Sequence, residues 1–360
     1  MIPKYRAWHK AREQMFDVLA IDFEKKTMVI IYFTGQELKS KITAQTKTKA
    51  VIMFQEFNSL FDMMQVFSDE KKCVDHFRAV RWSNGVVCPH CGSVEVYNLK
   101  DGTHKCKEKE CAKKFSVRFG TIFDDSKIAL QKLFMAIYLA TSHKKGVSSC
   151  QLARDIKVTQ KTAWFMLHRI RAAILVDRSE PLTGTVEIDE TYVGGKEKNK
   201  HASKRIKGAQ GAGSAKSKAV VLGMIKRGGE LRLDVIESAN SKEIAPLVRE
   251  NVCKTATVNT DEGNQYNWMH REYEHAQVKH TMGEYVNGDA YTNTIEGAFG
   301  HFKRSIVGVY HKASDKHIDR YLNMFAWRWN SRDMGEGERV NSLLKSTQGR
   351  KLTYKALINK

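Results

Sequence analysis

The sequence predicts an α+β protein of several domains, in which a cysteine-rich metal-binding module and a helical hairpin precede an α/β domain with a mixed five-stranded sheet. Three observations lead to this fold class. Two pairs of cysteines stand at the spacing of zinc ligands. Two helical segments follow, separated by a short polar turn. Beyond residue 184, three strand-like segments come in succession and are followed by alternating helices and strands.

Composition limits the classes of protein that fit. The 360 residues carry a net charge of +20, which favours a polyanionic partner such as DNA, although acidic membrane surfaces attract basic proteins too. No apolar run approaches the ~18 residues that span a bilayer, and the N-terminus lacks the apolar core of a signal peptide. We therefore expect a cytoplasmic, nucleoid-associated protein without a membrane partner.

The first 52 residues are predicted to be separate from the rest. Apolar and polar positions alternate over Met15 to Ala20 and Thr27 to Phe33, as in short strands, and a Lys- and Thr-rich linker follows. The opening resembles YopX-like phage proteins, through the run from Ile2 to Trp8 and through Val18 to Phe23. We interpret residues 1–52 as a fragment fused upstream and assign it no catalytic role.

A helical lead-in, residues 53–82, connects this fragment to the cysteines. Its apolar side chains from Met53 onward recur at helical spacing, and a second helix is predicted from Asp69 to Val80.

The four clustered cysteines predict a zinc ribbon over residues 83–120. Cys88 and Cys91 form one pair, Cys106 and Cys111 form the other, and fourteen residues separate the pairs. Four thiolates close the tetrahedral shell of Zn²⁺, so the zinc is expected to be structural.

Two features of the ribbon stay open at this stage. The second pair has four intervening residues where two are commoner, and His90 and His104 are possible substitute ligands. The lysines around the cysteines suit DNA contact, but an ordinary solvated charged face fits them equally well.

The segment 121–178 predicts a helix-turn-helix. A helix from Lys127 to Ser142 precedes GVSSCQLARDIKVTQKTAWFMLHRIRAAI, which indicates a short helix, a turn at 157–159 and a longer helix to Ile174. Such a pair can place its second helix in the major groove of DNA, although a purely structural hairpin has the same pattern. The polar and basic residues of the second helix are Gln160, Lys161, His168, Arg169 and Arg171.

Residues 184–332 are predicted to form an RNase-H-like catalytic domain. The elements run in the order of three strands, a helix, two strands and a helix, which is the order of that fold. The predicted strands begin at Thr185, Lys218, Glu230, Ala256 and Ala276, and the predicted helices are Ser241 to Val252 and Thr292 to Ile306. The remaining residues, 333–360, are expected to be a basic C-terminal tail.

Asp189 and Asp261 are the candidate ligands for catalytic Mg²⁺ or Mn²⁺. One lies in the first strand and the other at the end of the fourth, where two carboxylates can hold the metal ions of a phosphoryl-transfer site. Strand alternation places Glu187 on the same face as Asp189, so Glu187 is a rival that the pattern does not exclude.

A third group of candidates lies in NTIEGAFGHFKR. Asn293 and Glu296 are one helical turn apart, and Lys303 lies seven residues further on the same face. An oxygen ligand and a lysine directed at phosphate are therefore possible, although a solvated helix face would also carry such residues.

Together these motifs resemble the bacterial ISXO2-like insertion-sequence transposases, which couple a zinc ribbon to a DDE-type domain. The resemblance runs from about Met53 to Arg332 and rests on CPHCG, KKFSVRFGTIFDDS, EIDETYVGGK, NTDEG, NTIEGAFGHFKR and GVYHKASDKHIDRYLNMFAWRWNSR. It implies Asp189, Asp261 and Asn293 as the catalytic triad, with Lys303 as the accessory base. A neutral Asn is a weaker metal ligand than a carboxylate, so Glu296 competes with Asn293 for the third position.

The leading functional hypothesis is therefore metal-dependent cleavage at insertion-sequence ends, followed by strand transfer into target DNA, by a homo-oligomer assembled on DNA. A DNA-binding regulator without catalysis and a nuclease or resolvase without strand transfer are the alternatives. The Gly-, Ala- and Lys-rich loop 196–218 is expected either to order on the DNA backbone or to have no role.

Overall fold

A computed structural model describes residues 5–9, 14–22, 27–30, 57–174, 178–195, 201–204, 218–278 and 291–359. The chain divides into two compact units, Met1–Phe54 and Gln55–Lys360, which are described separately. Most of the predicted loop 196–218 lies outside the described residues.

The first unit contains a three-stranded antiparallel sheet. Its strands are β1 (Tyr5–His9), β2 (Gln14–Asp22) and β3 (Thr27–Ile30), in that spatial order. The short strands predicted from alternation are present.

The second unit begins with two short helices ahead of the ribbon. Helix α1 (Leu60–Val66) begins later than the predicted Met53, because the Ser59 hydroxyl caps it by accepting from the Asp62 N–H. Helix α2 (Glu70–Arg81) is capped in the same way by Asp69, where the sequence predicted its start. The ribbon strands are β4 (Val96–Asn98), β5 (His104–Cys106) and β6 (Lys114–Phe115).

A helical hairpin follows as predicted. Helix α3 (Leu130–Ser142) leads to α4 (Ser149–Asp155) and α5 (Gln160–Ala173), and the turn between the last two contains Lys157 with a positive φ of 49°. Two of the five polar and basic residues named for α5 are buried. His168 and Arg171 are 0% and 4% exposed, because α5 packs against a later helix.

The domain that follows the hairpin is built on a mixed five-stranded sheet. Its strands are β7 (Thr185–Val193), β8 (Ala219–Lys226), β9 (Leu231–Ile236), β10 (Thr257–Asp261) and β11 (Glu274–Val278). They lie in the order β11-β10-β7-β8-β9, with β7, β10 and β11 parallel and β8 antiparallel to both of its neighbours. The predicted element order and the α+β class are confirmed.

Each face of this sheet carries an apolar core. Helix α6 (Ser241–Asn251) packs on one face through Ile244 and Val248, which meet Ile188 and Leu222. The opposite face is covered by α7 (Asn293–Ser305) and α8 (Ile318–Asn330). Strand alternation therefore decides which side chains of β7 face α6 and which face α7.

The segment after residue 332 differs from the predicted tail. It forms α9 (Glu336–Ser346) and α10 (Tyr354–Ile358), and α9 packs on α2 and α3 with Val340, Leu343 and Leu344 buried. The Asn341 side chain meets the His76 imidazole at 2.7 Å. The chain thus ends beside the helices that begin the second unit. The basic composition of residues 333–360, on which the predicted tail was based, does not indicate this packing.

Candidate active site and metal centre

The four predicted zinc ligands converge at one end of the ribbon. All their sulfur atoms lie within 4.8 Å of one another, and the four form the only such group of three or more His, Cys, Asp or Glu side chains among the described residues. Sγ of Cys88 lies 3.8 Å from that of Cys111, and Sγ of Cys91 lies 3.5 Å from that of Cys106. A tetrahedron with Zn–S bonds of about 2.3 Å has edges of roughly 3.8 Å, so the thiols fit one Zn²⁺.

The two cysteine pairs are held by turns of different geometry. In the first, Gly92 takes a φ of 78° and donates to the Cys88 carbonyl at 2.9 Å. In the second, the longer spacing is absorbed by Ala112, which has a φ of 44° and donates to the Glu108 carbonyl at 2.8 Å. The four-residue gap is therefore compatible with a closed site.

Neither neighbouring histidine belongs to the cysteine cluster. His104 is buried against Trp82 and Phe115, and its Nδ1 lies 2.8 Å from the Asn98 side-chain oxygen. His90 stacks at 4.3 Å on Phe119. Both rings therefore pack with aromatic neighbours.

Asp189 and Asp261 lie on adjacent parallel strands. Residues 257–259 of β10 pair with residues 185–187 of β7, so the same register continued by two residues places Asp261 beside Asp189. Both side chains point to the face covered by α7. Asp261 is oriented by the Gly263 N–H, which donates to Oδ1 at 3.0 Å.

Glu187, the rival ligand, has a different role. Its side chain is 0% exposed, and Oε2 accepts from the backbone N–H groups of Thr294 and Ile295 at 2.9 and 3.1 Å. Its Oε1 accepts from Arg227 Nε and from the Thr294 hydroxyl, both at 2.9 Å. The carboxylate therefore fastens the first turn of α7 to β7 two residues before Asp189.

This attachment holds the first turn of α7, which contains Asn293 and Glu296, beside β7. Asn293 is the first residue of α7, and Glu296 is close enough to Asp189 for its charge to contribute to the raised pKa of that carboxyl. The Thr292 hydroxyl donates to Glu296 Oε1 at 3.1 Å. Lys303 is exposed near the other end of α7, on the face that carries Glu296.

Comparison with known proteins identifies the family. The model of the ISXO2-like transposase domain matches residues 181–330, and that of a transposase zinc-ribbon domain matches residues 68–114. A relative from Halobacterium salinarum, named as an uncharacterized protein in transposable element ISH50, is 30% identical over 277 residues, which cover 74% of this chain and 92% of that protein. The chain belongs to the ISXO2-like transposase family. The resemblance stated from the motifs is thereby confirmed.

In this transposase, the acids repel one another in a partly dry site. The pKa of Asp189 is raised to about 8, first by burial and then by the negative charges of Asp261 and Glu190, with Glu296 adding to the effect. Oxygen donors crowded in this way are the ligand set of a hard divalent cation, whose charge would relieve the repulsion. Asp189 and Asp261 therefore supply the type of donor that Mg²⁺ or Mn²⁺ takes, whereas the only group of three or more His, Cys, Asp or Glu ligands among the described residues is the cysteine cluster.

Glu190 was not among the residues predicted from the sequence. It points to the opposite face from Asp189, and its carboxylate accepts from the Tyr266 hydroxyl and from the Gln265 amide. Both donors lie in the 3₁₀ segment Asn264–Arg271, which follows Asp261. Glu190 thereby ties the segment after β10 to β7, a contact across 75 residues that no local pattern signals.

Gly223 is a second residue near the site that was not predicted from the sequence. It pairs with Asp189 across β7 and β8, and a Cβ at this position would lie 2.6 Å from the Phe299 ring and 2.7 Å from Ile295 Cδ1. Helix α7 can lie this close to the sheet because residue 223 has no side chain. A lone glycine inside a predicted strand is the signal that could have indicated it.

Proposed function

We propose that this chain is a DDE-type transposase that cuts DNA at the ends of an insertion sequence and joins the freed ends to target DNA. The observation that carries the proposal is the parallel pairing of β7 with β10, whose register continued by two residues puts Asp189 beside Asp261, with the first turn of α7 bonded to β7 by Glu187. The sheet order β11-β10-β7-β8-β9, with one antiparallel strand inside it, supports an RNase-H-like domain.

The chemistry consists of two phosphoryl transfers at one site. Water attacks the scissile phosphorus and the P–O3′ bond breaks, leaving a 3′-hydroxyl at the element end; that hydroxyl then attacks a target phosphorus and displaces a target 3′-oxygen. Two bound Mg²⁺ or Mn²⁺ ions would stabilise the attacking and leaving oxygens. Asp189 and Asp261 would hold them together with Asn293 or Glu296, while Lys303 would contact phosphate.

The remaining domains are proposed to hold the DNA. The zinc ribbon and the α4–α5 hairpin, read as a helix-turn-helix, would bind the terminal repeats, with Gln160 and Lys161 exposed at the first turn of α5. Because an insertion sequence has two ends, we propose that the enzyme acts as a homo-oligomer on DNA. Among the described residues, no helix is long and apolar enough to cross a membrane. We propose that the enzyme works in the cytoplasm, at the nucleoid.

The test is an end-joining assay. Full-length protein is incubated with Mg²⁺ or Mn²⁺, labelled duplexes carrying candidate element ends, and a target plasmid. Joined products support the transposase, nicks alone indicate a nuclease or resolvase, and gel shifts without cutting indicate a regulator. Asp189→Asn and Asp261→Asn should each abolish cleavage while DNA binding survives, because the amide keeps the shape but loses the charge that holds the metal.

The third ligand is decided in the same assay. If Glu296 holds metal, Glu296→Ala should reduce cleavage at least 100-fold and Asn293→Ala should be nearly silent; if Asn293 does, the two results are exchanged. Lys303→Ala should reduce the rate less than loss of either aspartate, because a lysine contacts phosphate without holding the metal. Normal cutting and joining by both aspartate variants would overturn the active-site assignment.

A further inference from the structure

Five basic side chains lie on one surface beyond the proposed active site. Three belong to the loop after α3 and two to the C-terminal half of α7, and all are exposed. We call them the α3–α7 basic surface: His143, Lys144, Lys145, His301 and Arg304. Among the residues that the structure describes, none of the five forms a salt bridge with a carboxylate.

Buried contacts hold the loop beside the end of α7. Arg328 Nη1 and the Gly146 N–H donate to the His143 carbonyl at 3.3 and 2.8 Å. Gly146 has a φ of 84°, and a Cβ there would overlap the Tyr310 hydroxyl and the Arg328 guanidinium. Tyr310 ends the π-helical segment Ile306–Tyr310, which continues α7. The loop is therefore fixed against the extension of α7 by a residue that must be glycine.

The charges on the two segments affect each other. The pKa of His301 is lowered by burial and then by the positive charges of Arg304, Lys145 and Lys144, with no acid among the causes. Cations held together without acidic partners attract a polyanion, and each phosphate contact also releases counterions from DNA.

The position of this surface indicates which part of the DNA it meets. His301 and Arg304 follow Glu296 by five and eight residues, so their mean position is about 10 Å further along α7. DNA rises about 3.4 Å per base pair, so 10 Å corresponds to roughly three base pairs. We propose that the α3–α7 basic surface binds the DNA backbone roughly three base pairs from the bond cut at Asp189 and Asp261. This inference rests on the proposed function, because it takes DNA as the ligand.

The first test measures the salt dependence of binding. Full-length Lys144→Ala/Lys145→Ala is titrated with a fluorescent duplex carrying an element end at several NaCl concentrations. The slope of log K against log salt should become less steep by about 1.8, since each lost phosphate contact removes about 0.9. Both side chains are exposed, so the melting temperature should match that of the wild type.

A matched control comes from the other end of α3. Glu70 Oε1 accepts from the Leu130 N–H, which places the start of α2 at the start of α3, about 20 Å from Lys144. Lys71→Ala/Lys72→Ala removes two exposed charges there and should leave the slope unchanged. An unchanged slope in the Lys144/Lys145 variant, or an equal loss in this control, would overturn the proposal.

A second test locates the contact along the DNA. Single uncharged methylphosphonates are placed at successive positions from the cleaved bond. Neutralising the phosphate near the third base pair should weaken wild-type binding and have little further effect on Lys144→Ala/Lys145→Ala. Additive losses at every position would refute the assigned contact. Wild-type protein that neither binds nor cuts DNA would refute the proposed function itself, whereas normal cutting with no lysine effect would refute only this surface.

Discussion

Three acids within four residues of β7 occupy three different environments. Glu187 is saturated by donors from α7 and Arg227, Glu190 is bonded to Tyr266 on the opposite face, and Asp189 faces other carboxylates. The three residues therefore have different roles, although the sequence shows only three similar acids. Burial raises the pKa of both Asp189 and Glu190, but the Tyr266 hydroxyl and the Gln265 amide counteract the rise at Glu190, whereas the charges of Asp261 and Glu296 add to it at Asp189. A carboxylate among like charges is a candidate metal ligand.

The raised pKa of Asp189 has a consequence for stability. In the unfolded chain this carboxyl ionises near its usual value of 3.8, whereas in the folded protein it ionises at about 8. Between these values the folded state binds more protons than the unfolded state. The free energy of unfolding of the protein free of Mg²⁺ therefore falls as the pH rises from about 4 to about 8.

Asp189→Asn should abolish this fall in the free energy of unfolding between about pH 4 and pH 8. In buffer without divalent cations, the variant should melt higher than the wild type at pH 8, by about 2–4 °C for each kcal/mol recovered, and the difference should shrink towards pH 4. Differential scanning fluorimetry across this pH range measures it. Asp333→Asn, on an exposed carboxyl, is the control and should show no such trend. A pH-independent difference would contradict the assigned cause.

At the scale of elements, the placement of α7 depends on the ion pair between Glu187 and Arg227. Glu187→Gln removes the negative charge that pairs with the Arg227 guanidinium and weakens the bonds to the Thr294 and Ile295 N–H groups. We expect the Mg²⁺ concentration for half-maximal cleavage to rise and the maximal rate to fall on the order of 100-fold, since a displacement of about 1 Å can cost that much.

Glu230→Gln is the matched control for that variant. It breaks another arginine–glutamate pair of 2.9 Å, with Arg232, in the same sheet. Glu230→Gln should lower the melting temperature without changing the Mg²⁺ dependence of cleavage. If both variants lose stability alike and neither changes the Mg²⁺ dependence, Glu187 serves the fold and does not position α7 for catalysis.

The ribbon gives a second prediction for an element. One zinc per chain should copurify with the wild type, and Cys106→Ser should lose it, because three thiolates no longer close the tetrahedral shell. Cys150→Ser, on an exposed cysteine of α4, should retain the metal. Elemental analysis makes the comparison, and zinc content that is the same in all three proteins would show that the cluster is not the binding site.

Features that depend on neighbouring residues could be predicted from the sequence, whereas those that depend on residues far apart in the chain could not. Cysteine spacing and the strand positions of Asp189 and Asp261 are local features, and both fall where they were predicted. The bonds of Glu187 to α7 cross more than 100 residues, so alternation could only place Glu187 and Asp189 on one face. The polar character of His168 and Arg171 gives no sign of their burial, because the packing of α5 against α8 decides it.

At the scale of the whole molecule, the second unit has a core that joins its first and last segments. Phe57 is buried and in ring contact with Phe67 and Tyr138, and its carbonyl accepts from the Gly337 N–H at 3.1 Å. Helix α9, near the C-terminus, therefore completes a core that begins only a few residues after the boundary at Phe54.

A chain that starts at Met53 should consequently cut and join DNA like the full-length protein. It retains Phe57, the zinc ligands, the sheet and α9, whereas the strands it lacks form a sheet of their own. Both proteins are compared in the end-joining assay at equal zinc content, with circular dichroism and melting temperature as checks of folding. A truncated protein that folds and binds zinc but fails to cut would show that residues 1–52 belong to the enzyme.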